Sequence, residues 1–307
     1  MLSGEKILVT GPAGRIAFPV VQHLARNNEV WGIARFTDPA QRAEVEALGV
    51  TTRILDMATC DFSALPRDFT YLVHIAVSFT DGSYDEAIRA NAESCGFLLE
   101  HCRNAKAALV MSTLSVYKPH PDPWHPFAEE DPLGDIIAAS PASYSISKIC
   151  EEAVARYCAR TLNLPVTIAR MGAAYGDRGG LPIIHMGDLA AARPITARWD
   201  PLPYSPIHVD DIAEMIEPLL AAASVPATIV NFCGDEAVSV QEWVTFMAGL
   251  LGITPQVIVK PVPGASLGSV GDVTRRRALT GPCKVSWQDG LRRLAGQLYP
   301  DRQIRSW

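Results

Sequence analysis

The sequence lacks the features that mark several large classes of protein. No apolar run approaches the roughly 18 residues that would span a bilayer, and the first residues lead into an apolar segment without a signal-peptide pattern. The net charge is −6 and basic residues form no long run, which argues against nucleic acid or an anionic membrane as the main partner. We therefore expect a cytoplasmic protein that acts on a small molecule.

Cysteine and histidine patterns typical of disulfide frameworks or metal sites are also missing. The seven cysteines are scattered without a CxxC pair, and the seven histidines include no HExxH pattern. We predict reduced, mostly buried thiols and no metal ion. Apolar residues are plentiful, at 48% against 20% charged residues, so a chain of 307 residues should form a sizeable core.

The first apolar segment leads into a glycine turn with the features of a dinucleotide-binding motif. Residues 7–9 predict a strand that is buried on both faces. Gly11 permits a sharp turn, and Gly14 lets the backbone approach a pyrophosphate with no Cβ in the way. The following helix would present free N–H groups and the positive end of its dipole to the phosphates. Ala17 is small enough for this helix to pack closely on the strand.

Segments of strand and helix character then alternate with short connections, which predicts an α/β fold with a doubly wound parallel Rossmann sheet and a smaller C-terminal substrate-binding domain. We assign residues 1–170 to the dinucleotide-binding domain, with returning segments near 205–232, and residues 171–204 and 233–307 to the substrate-binding domain. Locally, we predict one helix over residues 85–102, a functional loop or lid over the proline-rich residues 119–141, and a helix after residue 209 that Asp210 caps.

The end of the second strand bears on the choice of cofactor. In a dinucleotide fold the residue there meets the adenosine ribose, where an acidic side chain suits a free 2′-hydroxyl and an arginine suits a 2′-phosphate. Here Ala34 takes the acidic position and Arg35 follows, while Arg15 in the glycine turn could approach from the other side. We therefore favour NADP(H), and NAD(H) is the alternative if Arg35 is only a solvated charge.

A tyrosine and a lysine in a later helix have the spacing of a proton-transfer pair. Tyr144 and Lys148 are four residues apart, which places them on one helix face one turn apart. A nearby cation favours the phenolate form, so the phenol becomes usable as an acid or base. Ser112 and Thr113 end the fifth strand, at the sheet edge where open parallel sheets bind ligands. A hydroxyl there could hold a substrate oxygen while Tyr144 moves its proton.

Taken together, these motifs resemble those of the extended short-chain dehydrogenase/reductase family, also called the NAD-dependent epimerase/dehydratase family. The matching pieces follow the family's order over nearly the whole chain: residues 10–17, 56–57 and 74–76, Asn91, residues 112–117 and 144–148, Arg170, and residues 175–176 and 208–211. Ala17 stands in place of the family's usual third glycine.

The resemblance implies roles for individual residues. Tyr144 would be the acid/base, Lys148 would hold the nicotinamide ribose, and Thr113, or alternatively Ser112, would orient the substrate oxygen. Cofactor contacts are expected from Gly11, Ala13, Gly14, Arg15, Ile16, Arg35, Asp56, Met57, Ala76 and Met171 together with Tyr144 and Lys148. The family also implies a homodimer built on the helix near residues 85–102 and the helix that follows Tyr144.

Departures from the family pattern bear on the substrate. Sugar 4,6-dehydratases carry Asp-Glu after the threonine, whereas Leu114 and Ser115 follow here, which disfavours elimination of water. Nucleotide-sugar epimerases tend to carry an asparagine and a diphosphate-binding arginine where this chain has Ala173 and Tyr204.

Our leading hypothesis is an NAD(P)-dependent oxidoreductase that transfers hydride between nicotinamide and an alcohol or carbonyl substrate. A nucleotide-sugar epimerase with tightly bound NAD and a non-catalytic dinucleotide-binding regulator are the alternatives. Arg193 and Arg198 are left as candidate phosphate ligands, and the candidate walls of a less polar substrate pocket are Trp124, Phe127, Met186 and Trp199.

Overall fold

The computed structural model describes residues 2–79, 83–134 and 143–304. Its strands, in chain order, are β1 (Lys6–Thr10), β2 (Glu29–Ala34), β3 (Thr51–Ile54), β4 (Tyr71–His74), β5 (Ala107–Thr113), β6 (Pro126–Phe127), β7 (Val166–Met171), β8 (Ala174–Tyr175), β9 (Ile195–Ala197), β10 (Pro203–Tyr204), β11 (Ile207–His208), β12 (Thr228–Phe232), β13 (Val238–Ser239), β14 (Val257–Val259) and β15 (Val270–Gly271). Its α-helices are α1 (Ala17–Leu24), α2 (Pro39–Glu46), α3 (Tyr84–Ile88), α4 (Ser94–His101), α5 (Tyr144–Thr161), α6 (Leu181–Ala190), α7 (Val209–Ala221), α8 (Val240–Leu251), α9 (Thr274–Thr280) and α10 (Trp287–Leu298). None of the helices in these described ranges is both long and apolar enough to cross a membrane.

Seven strands form one parallel sheet in the order β12-β7-β5-β4-β1-β2-β3. The apolar faces of α1 and α7 pack on one side of this sheet, and those of α4 and α5 pack on the other. Every residue of β5 and β7 is buried, as expected for strands that helices cover on both faces. The predicted doubly wound parallel fold is therefore confirmed.

The sheet order opens a crevice between two of its central strands. From β1 the chain moves outward to β2 and β3, and it then returns to place β4 and β5 on the other side of β1. In such sheets, ligands bind outside the carboxyl ends of the strands at the point where the order reverses. The glycine turn after β1, the segment after β4 and the end of β5 all meet at this edge.

A second apolar core lies in the C-terminal part of the chain. Apolar side chains of α6, α8 and α10 pack around Trp243, which is fully buried and donates from Nε1 to His185 Nδ1 at 3.0 Å. The segment between the two cores returns to the sheet, because α7 packs on α1 and β12 pairs with β7. The division of the chain into two domains at our stated boundaries stays a prediction.

Three local predictions differ from the structure. The predicted helix over residues 85–102 is interrupted by a π-turn at Arg89–Glu93, because an extra residue is accommodated between α3 and α4. The cap of α7 is His208, two residues earlier than predicted, and its side chain accepts from the N–H of Asp210 at 3.1 Å. β11 pairs with β8 instead of joining the main sheet. Part of the predicted lid, residues 135–141, lies outside the described residues.

Candidate active site

A cleft of about 520 Å³ lies at the carboxyl ends of the central strands. Its lining includes all of the predicted cofactor contacts, which are Gly11, Ala13, Gly14, Arg15, Ile16, Arg35, Asp56, Met57, Ala76, Tyr144, Lys148 and Met171. Residues that the sequence did not single out for this role, among them Gln41, Ser78 and Phe79, also line it. One continuous cleft therefore joins the glycine turn to the tyrosine–lysine pair.

The glycine turn is built for close approach of the backbone. Gly11 has φ +64° and donates to the carbonyl of Ile33 at 2.9 Å, and a Cβ at this position would lie 3.2 Å from that of Ala76. Helix α1 begins at Ala17 without a side-chain hydrogen bond to its first N–H groups. The N–H of Phe18 donates to the carbonyl of Gly14 at 2.9 Å, so the positive end of the helix dipole, rather than this N–H, is available to an anion. The turn fits the pyrophosphate of a dinucleotide.

Two exposed arginines, Arg15 and Arg35, line the cleft away from the tyrosine–lysine pair. Arg35 follows the half-buried Ala34, and the stem of Arg15 lies beside Gly179, where a Cβ would come within 3.0 Å of its Cδ. Within residues 2–79, 83–134 and 143–304, neither guanidinium forms an ion pair or a side-chain hydrogen bond. An anionic group such as a 2′-phosphate would find two cations without internal partners here.

A third arginine, Arg178, holds the loop between β8 and α6 against two helices. Arg178 lies between β8 and α6, and its Nη2 donates to Glu44 of α2 at 2.6 Å. Its guanidinium also lies 3.5 Å from the ring centroid of Phe18 in α1. The loop is thereby joined to two helices that flank the cleft.

At the reaction end, Tyr144 is half-buried at the first position of α5. The exposed ring of Phe79 stacks on it, with the centroids 5.1 Å apart and the planes 30° apart. Lys148 is 2% exposed, and its Nζ donates to the carbonyl of Met111 at 2.9 Å. The predicted pair therefore lies together in the cleft, with the phenol accessible and the ammonium behind it.

The Lys148 ammonium has a buried counter-ion that the sequence analysis missed. Nζ lies 2.6 Å from Oε2 of Glu151, which is fully buried one turn further along α5. Burial is the largest single influence and lowers the pKa of Lys148, but the interactions with Glu151, Tyr144 and Cys95 together outweigh it, so this pKa lies above its ordinary value. For Glu151, burial raises the pKa, but Lys148 and then His74 outweigh it, so this pKa lies below its ordinary value.

Glu151 is in turn held from the sheet. Its Oε1 lies 3.2 Å from His74 Nε2, and His74 Nδ1 lies 2.9 Å from Thr10 Oγ1. Thr10 also accepts from the N–H groups of Ile75 and Ala76 at 3.0 and 2.9 Å. A continuous line of contacts therefore runs from β1 through β4 to the lysine.

Ligand atoms of His74, Cys95 and Glu151 lie within 4.8 Å of one another. Burial raises the pKa of the Cys95 thiol well above its ordinary value, so this thiol stays protonated. The positive charge at Glu151 is already supplied by Lys148. We assign no metal ion to this group, and the absence of a metal from the protein stays a prediction.

The two candidate hydroxyls at the end of β5 are placed differently. Ser112 lines the cleft and donates to Glu152 Oε1 at 2.6 Å. Thr113 is buried outside the lining, and its hydroxyl oxygen accepts from the N–H of Ser115 at 3.2 Å. Glu152 is also paired with Arg170, which donates to it from Nε and Nη2 at 2.9 and 2.8 Å. Ser112 is thus held by a buried ion pair, whereas Thr113 has no acceptor for its hydroxyl hydrogen among the residues described.

The π-turn before α4 positions one wall of the cleft. Its buried Asn91 accepts from the N–H of Ser78 at 2.7 Å and donates to the carbonyl of Ser78 at 3.1 Å. The same amide donates to Ser147 of α5 at 3.1 Å. Asn91 therefore ties the segment that carries Phe79 to the helix that carries Tyr144. From the sequence, Asn91 was only a match to the family pattern, because the extra residue of the π-turn has no local signature.

Candidate residues outside the cleft lining have other surroundings. Arg193 pairs with Asp188 at 2.8 Å on the surface. Arg198 donates to the hydroxyl of Tyr204 at 2.8 Å and to the carbonyl of Ser266 at 2.6 Å. The four apolar candidates lie in buried cores or on the surface: Phe127 and Met186 are buried, and Trp124 and Trp199 are 38% and 37% exposed.

The chain belongs to the NAD-dependent epimerase/dehydratase family, whose family model matches residues 7–232. The predicted family is confirmed by this match. Among curated proteins, dTDP-glucose 4,6-dehydratase 1 of Escherichia coli (strain K12) is 30% identical over 198 residues, which cover 56% of this chain and 55% of the dehydratase. The match thus spans about half the length of that relative.

Two solved structures show how far the fold is shared. UDP-glucuronic acid 4-epimerase from Bacillus cereus, in complex with UDP-glucuronic acid and NAD, superimposes with a TM-score of 0.82 at 22% identity, covering 96% of this chain and 100% of that one. UDP-N-acetylglucosamine 4-epimerase from Methanobrevibacter ruminantium M1 gives a TM-score of 0.83 at 17% identity, covering 98% and 100%. At these identities the likeness concerns the fold.

Proposed function

We propose that this chain is an NADP(H)-dependent oxidoreductase that transfers hydride between the nicotinamide and an alcohol or carbonyl substrate. The observation that carries the proposal is the single cleft that joins a pyrophosphate-type glycine turn to Tyr144 and Lys148. Family membership supports dinucleotide chemistry. The exposed Arg35, with no acidic residue at the end of β2, supports the phosphorylated cofactor, and NAD(H) is the alternative.

The residues of the reaction end divide the chemistry between them. When bound, the dinucleotide supplies or accepts the hydride. In the direction of reduction, Tyr144 donates its proton to the carbonyl oxygen, and the ammonium of Lys148 stabilises the phenolate that remains. The hydroxyl of Thr113 donates a hydrogen bond to the same oxygen, whereas Ser112, the alternative, would first have to release its hydrogen from Glu152. In oxidation the phenolate takes the proton back.

A substrate screen tests this proposal. Aldehydes and ketones of graded polarity are incubated with NADPH, and its consumption is followed for the wild-type chain and Tyr144→Phe. We expect turnover with at least one carbonyl class and a loss of about 10²–10⁴-fold in the variant, because its ring has no proton to transfer. Cofactor affinity should change little, because the ring itself is retained. Equal turnover of the two proteins would refute the role of Tyr144.

One observation favours a nucleotide-sugar epimerase as the second candidate. Arg198 reaches the hydroxyl of Tyr204, so a guanidinium lies beside the position where epimerases tend to carry a diphosphate-binding arginine. Structural neighbours with bound UDP-sugars and NAD add support for this candidate. Stoichiometric NAD released by denaturation of the purified protein, together with turnover of a UDP-sugar, would favour it. Tight dinucleotide binding with no turnover of either substrate class would favour the non-catalytic regulator.

We further propose that the chain forms a homodimer through α4 and α5. Phe97 on α4 and Tyr157 on α5 are 55% and 66% exposed, which suits an apolar surface covered by a second copy. Light scattering should give twice the mass of the 33.2 kDa chain, and Phe97→Glu should shift it toward the monomer. The seven free cysteines support a reducing compartment, as expected for the cytoplasm.

A further inference from the structure

The reaction end contains one buried charge that the proposed proton transfer does not use. Glu151 is fully buried, and both of its carboxylate oxygens point at basic side chains: one lies 2.6 Å from Lys148 and the other lies 3.2 Å from His74. A carboxylate is costly to bury, and it remains in a fold only where nearby charges and dipoles stabilise it. A residue held in this way one turn after Lys148 calls for an explanation.

The surroundings of the lysine contain few other ways to keep it charged. Lys148 is 2% exposed, and its ammonium donates a hydrogen bond to the neutral carbonyl of Met111. The ionisable groups that act on this region are Tyr144 and Glu151 from α5, Cys95 from α4 and His74 from β4. Of these, Glu151 is the carboxylate, and a buried lysine without a counter-ion tends to lose its proton at neutral pH.

We propose that Glu151 is a positioning residue for the tyrosine–lysine pair, because it keeps the Lys148 side chain charged and fixed against Met111 while His74 and Thr10 brace it from the sheet. Glu151 acts through Lys148 and touches neither substrate nor cofactor. The inference rests on the proposed role of Tyr144 and Lys148. It assigns to α5 a third residue of the reaction end, at the same helix face.

The test measures protonation of the lysine through folding, so it does not depend on a known substrate. Urea unfolding of the wild-type chain and Glu151→Gln is followed between about pH 6 and pH 10. Without Glu151, the native state should release the Lys148 proton at lower pH than the unfolded state does. The variant should therefore be far less stable than the wild type near pH 6. The ratio of the variant's unfolding equilibrium constant to that of the wild type should fall by up to about tenfold per pH unit as the pH rises.

Two control variants separate this effect from ordinary damage to a buried site. Glu152→Gln removes the neighbouring buried carboxylate, but its partner Arg170 stays charged throughout this pH range, so its loss of stability should not depend on pH. Glu151→Asp keeps the charge and should restore the wild-type pH dependence. A pH-independent gap for Glu151→Gln, parallel to that of Glu152→Gln, would overturn the proposal.

The proposal can also be tested if Glu151→Gln does not fold at neutral pH. In that case Glu151→Gln should fold near pH 10, and Lys148→Met combined with Glu151→Gln should fold at neutral pH, because neither protein buries an unpaired ammonium. If both remain unfolded, the proposal is wrong. Where the carbonyl screen yields a substrate, kcat should decline as the pH is raised. For Glu151→Gln this decline should begin at a lower pH than for the wild type. If Glu151→Gln shows the predicted pH dependence of stability but no substrate is turned over, the proposed function is wrong and the role of Glu151 stands.

Discussion

The two ends of the cleft treat positive charge in opposite ways. At the reaction end, Lys148 is buried and paired with Glu151, and Arg170 is buried and paired with Glu152. At the end of the cleft lined by Arg15 and Arg35, both side chains are exposed and neither has an ion pair with any described residue. The first end is preorganised before any ligand arrives, whereas the second leaves its cations for a charge that a ligand would bring. This contrast supports our proposal of a cofactor with a phosphate on its ribose.

Removal of one partner of the buried Lys148–Glu151 pair should have a large effect on stability. Lys148→Met should lower the free energy of unfolding by about 3–5 kcal/mol, because Glu151 is left charged in an apolar site. The added change Glu151→Gln should recover much of this loss, since neither charge then remains. Chemical denaturation at neutral pH measures both proteins.

The control for that prediction is an exposed ion pair. Lys106 donates to Glu5 at 2.6 Å, but its side chain is 56% exposed, so Lys106→Met should cost no more than about 1 kcal/mol. Similar losses for Lys148→Met and Lys106→Met would contradict the view that the reaction end depends on buried charge.

At the other end, Arg35→Ala should leave stability unchanged and weaken cofactor binding selectively. We expect the Kd for NADPH to rise about 10–100-fold, which corresponds to about 1.4–2.8 kcal/mol, because a charge-assisted contact to the 2′-phosphate is lost. The Kd for NADH should change little. Isothermal titration calorimetry measures both, with the surface variant Arg193→Ala as control. Equal losses for the two cofactors would mean that Arg35 does not meet the phosphate.

The smallest expected effect concerns the loop that Arg178 joins to α1 and α2. Arg178→Ala removes an ion pair and a cation–π contact, each partly exposed, so we expect NADPH to dissociate about 2–5-fold faster. Stopped-flow displacement measures the rate, and Arg103→Ala, which removes an exposed pair with Glu100, is the control. An unchanged dissociation rate would show that the loop does not retain the cofactor.

The parts of the site that the sequence predicted are those set by local geometry. The turn around Gly11 and the four-residue spacing of Tyr144 and Lys148 are determined within a few residues of chain. Glu151 follows Lys148 by three residues and shares its helix face, but its importance depends on burial against β4 and α4, which are distant in sequence. The positioning role of Asn91 was not predicted for a related reason, because it follows from a π-turn and from contacts to Ser78 and Ser147.

Prediction from local sequence was also less accurate for the ends of helices than for the overall fold. The alternation of apolar segments was enough to predict a doubly wound parallel sheet, since it repeats along most of the chain. The cap of α7 was assigned to Asp210, but His208, two residues earlier, takes that place because its imidazole accepts from the Asp210 N–H. A pattern of residue types does not distinguish these two acceptors two positions apart.

A cofactor panel tests the proposal that the end of the cleft lined by Arg15 and Arg35 binds a 2′-phosphate. The wild-type chain, stripped of nucleotide by mild denaturation and refolding, is melted with NADPH, NADP, NADH and NAD at matched concentrations. A ligand that binds the native state raises the melting temperature, and at matched concentration the rise grows with the logarithm of its affinity. We predict a clear rise with NADPH and NADP and a much smaller rise with NADH and NAD. A rise with NADH and NAD alone would contradict the claim and would favour the epimerase.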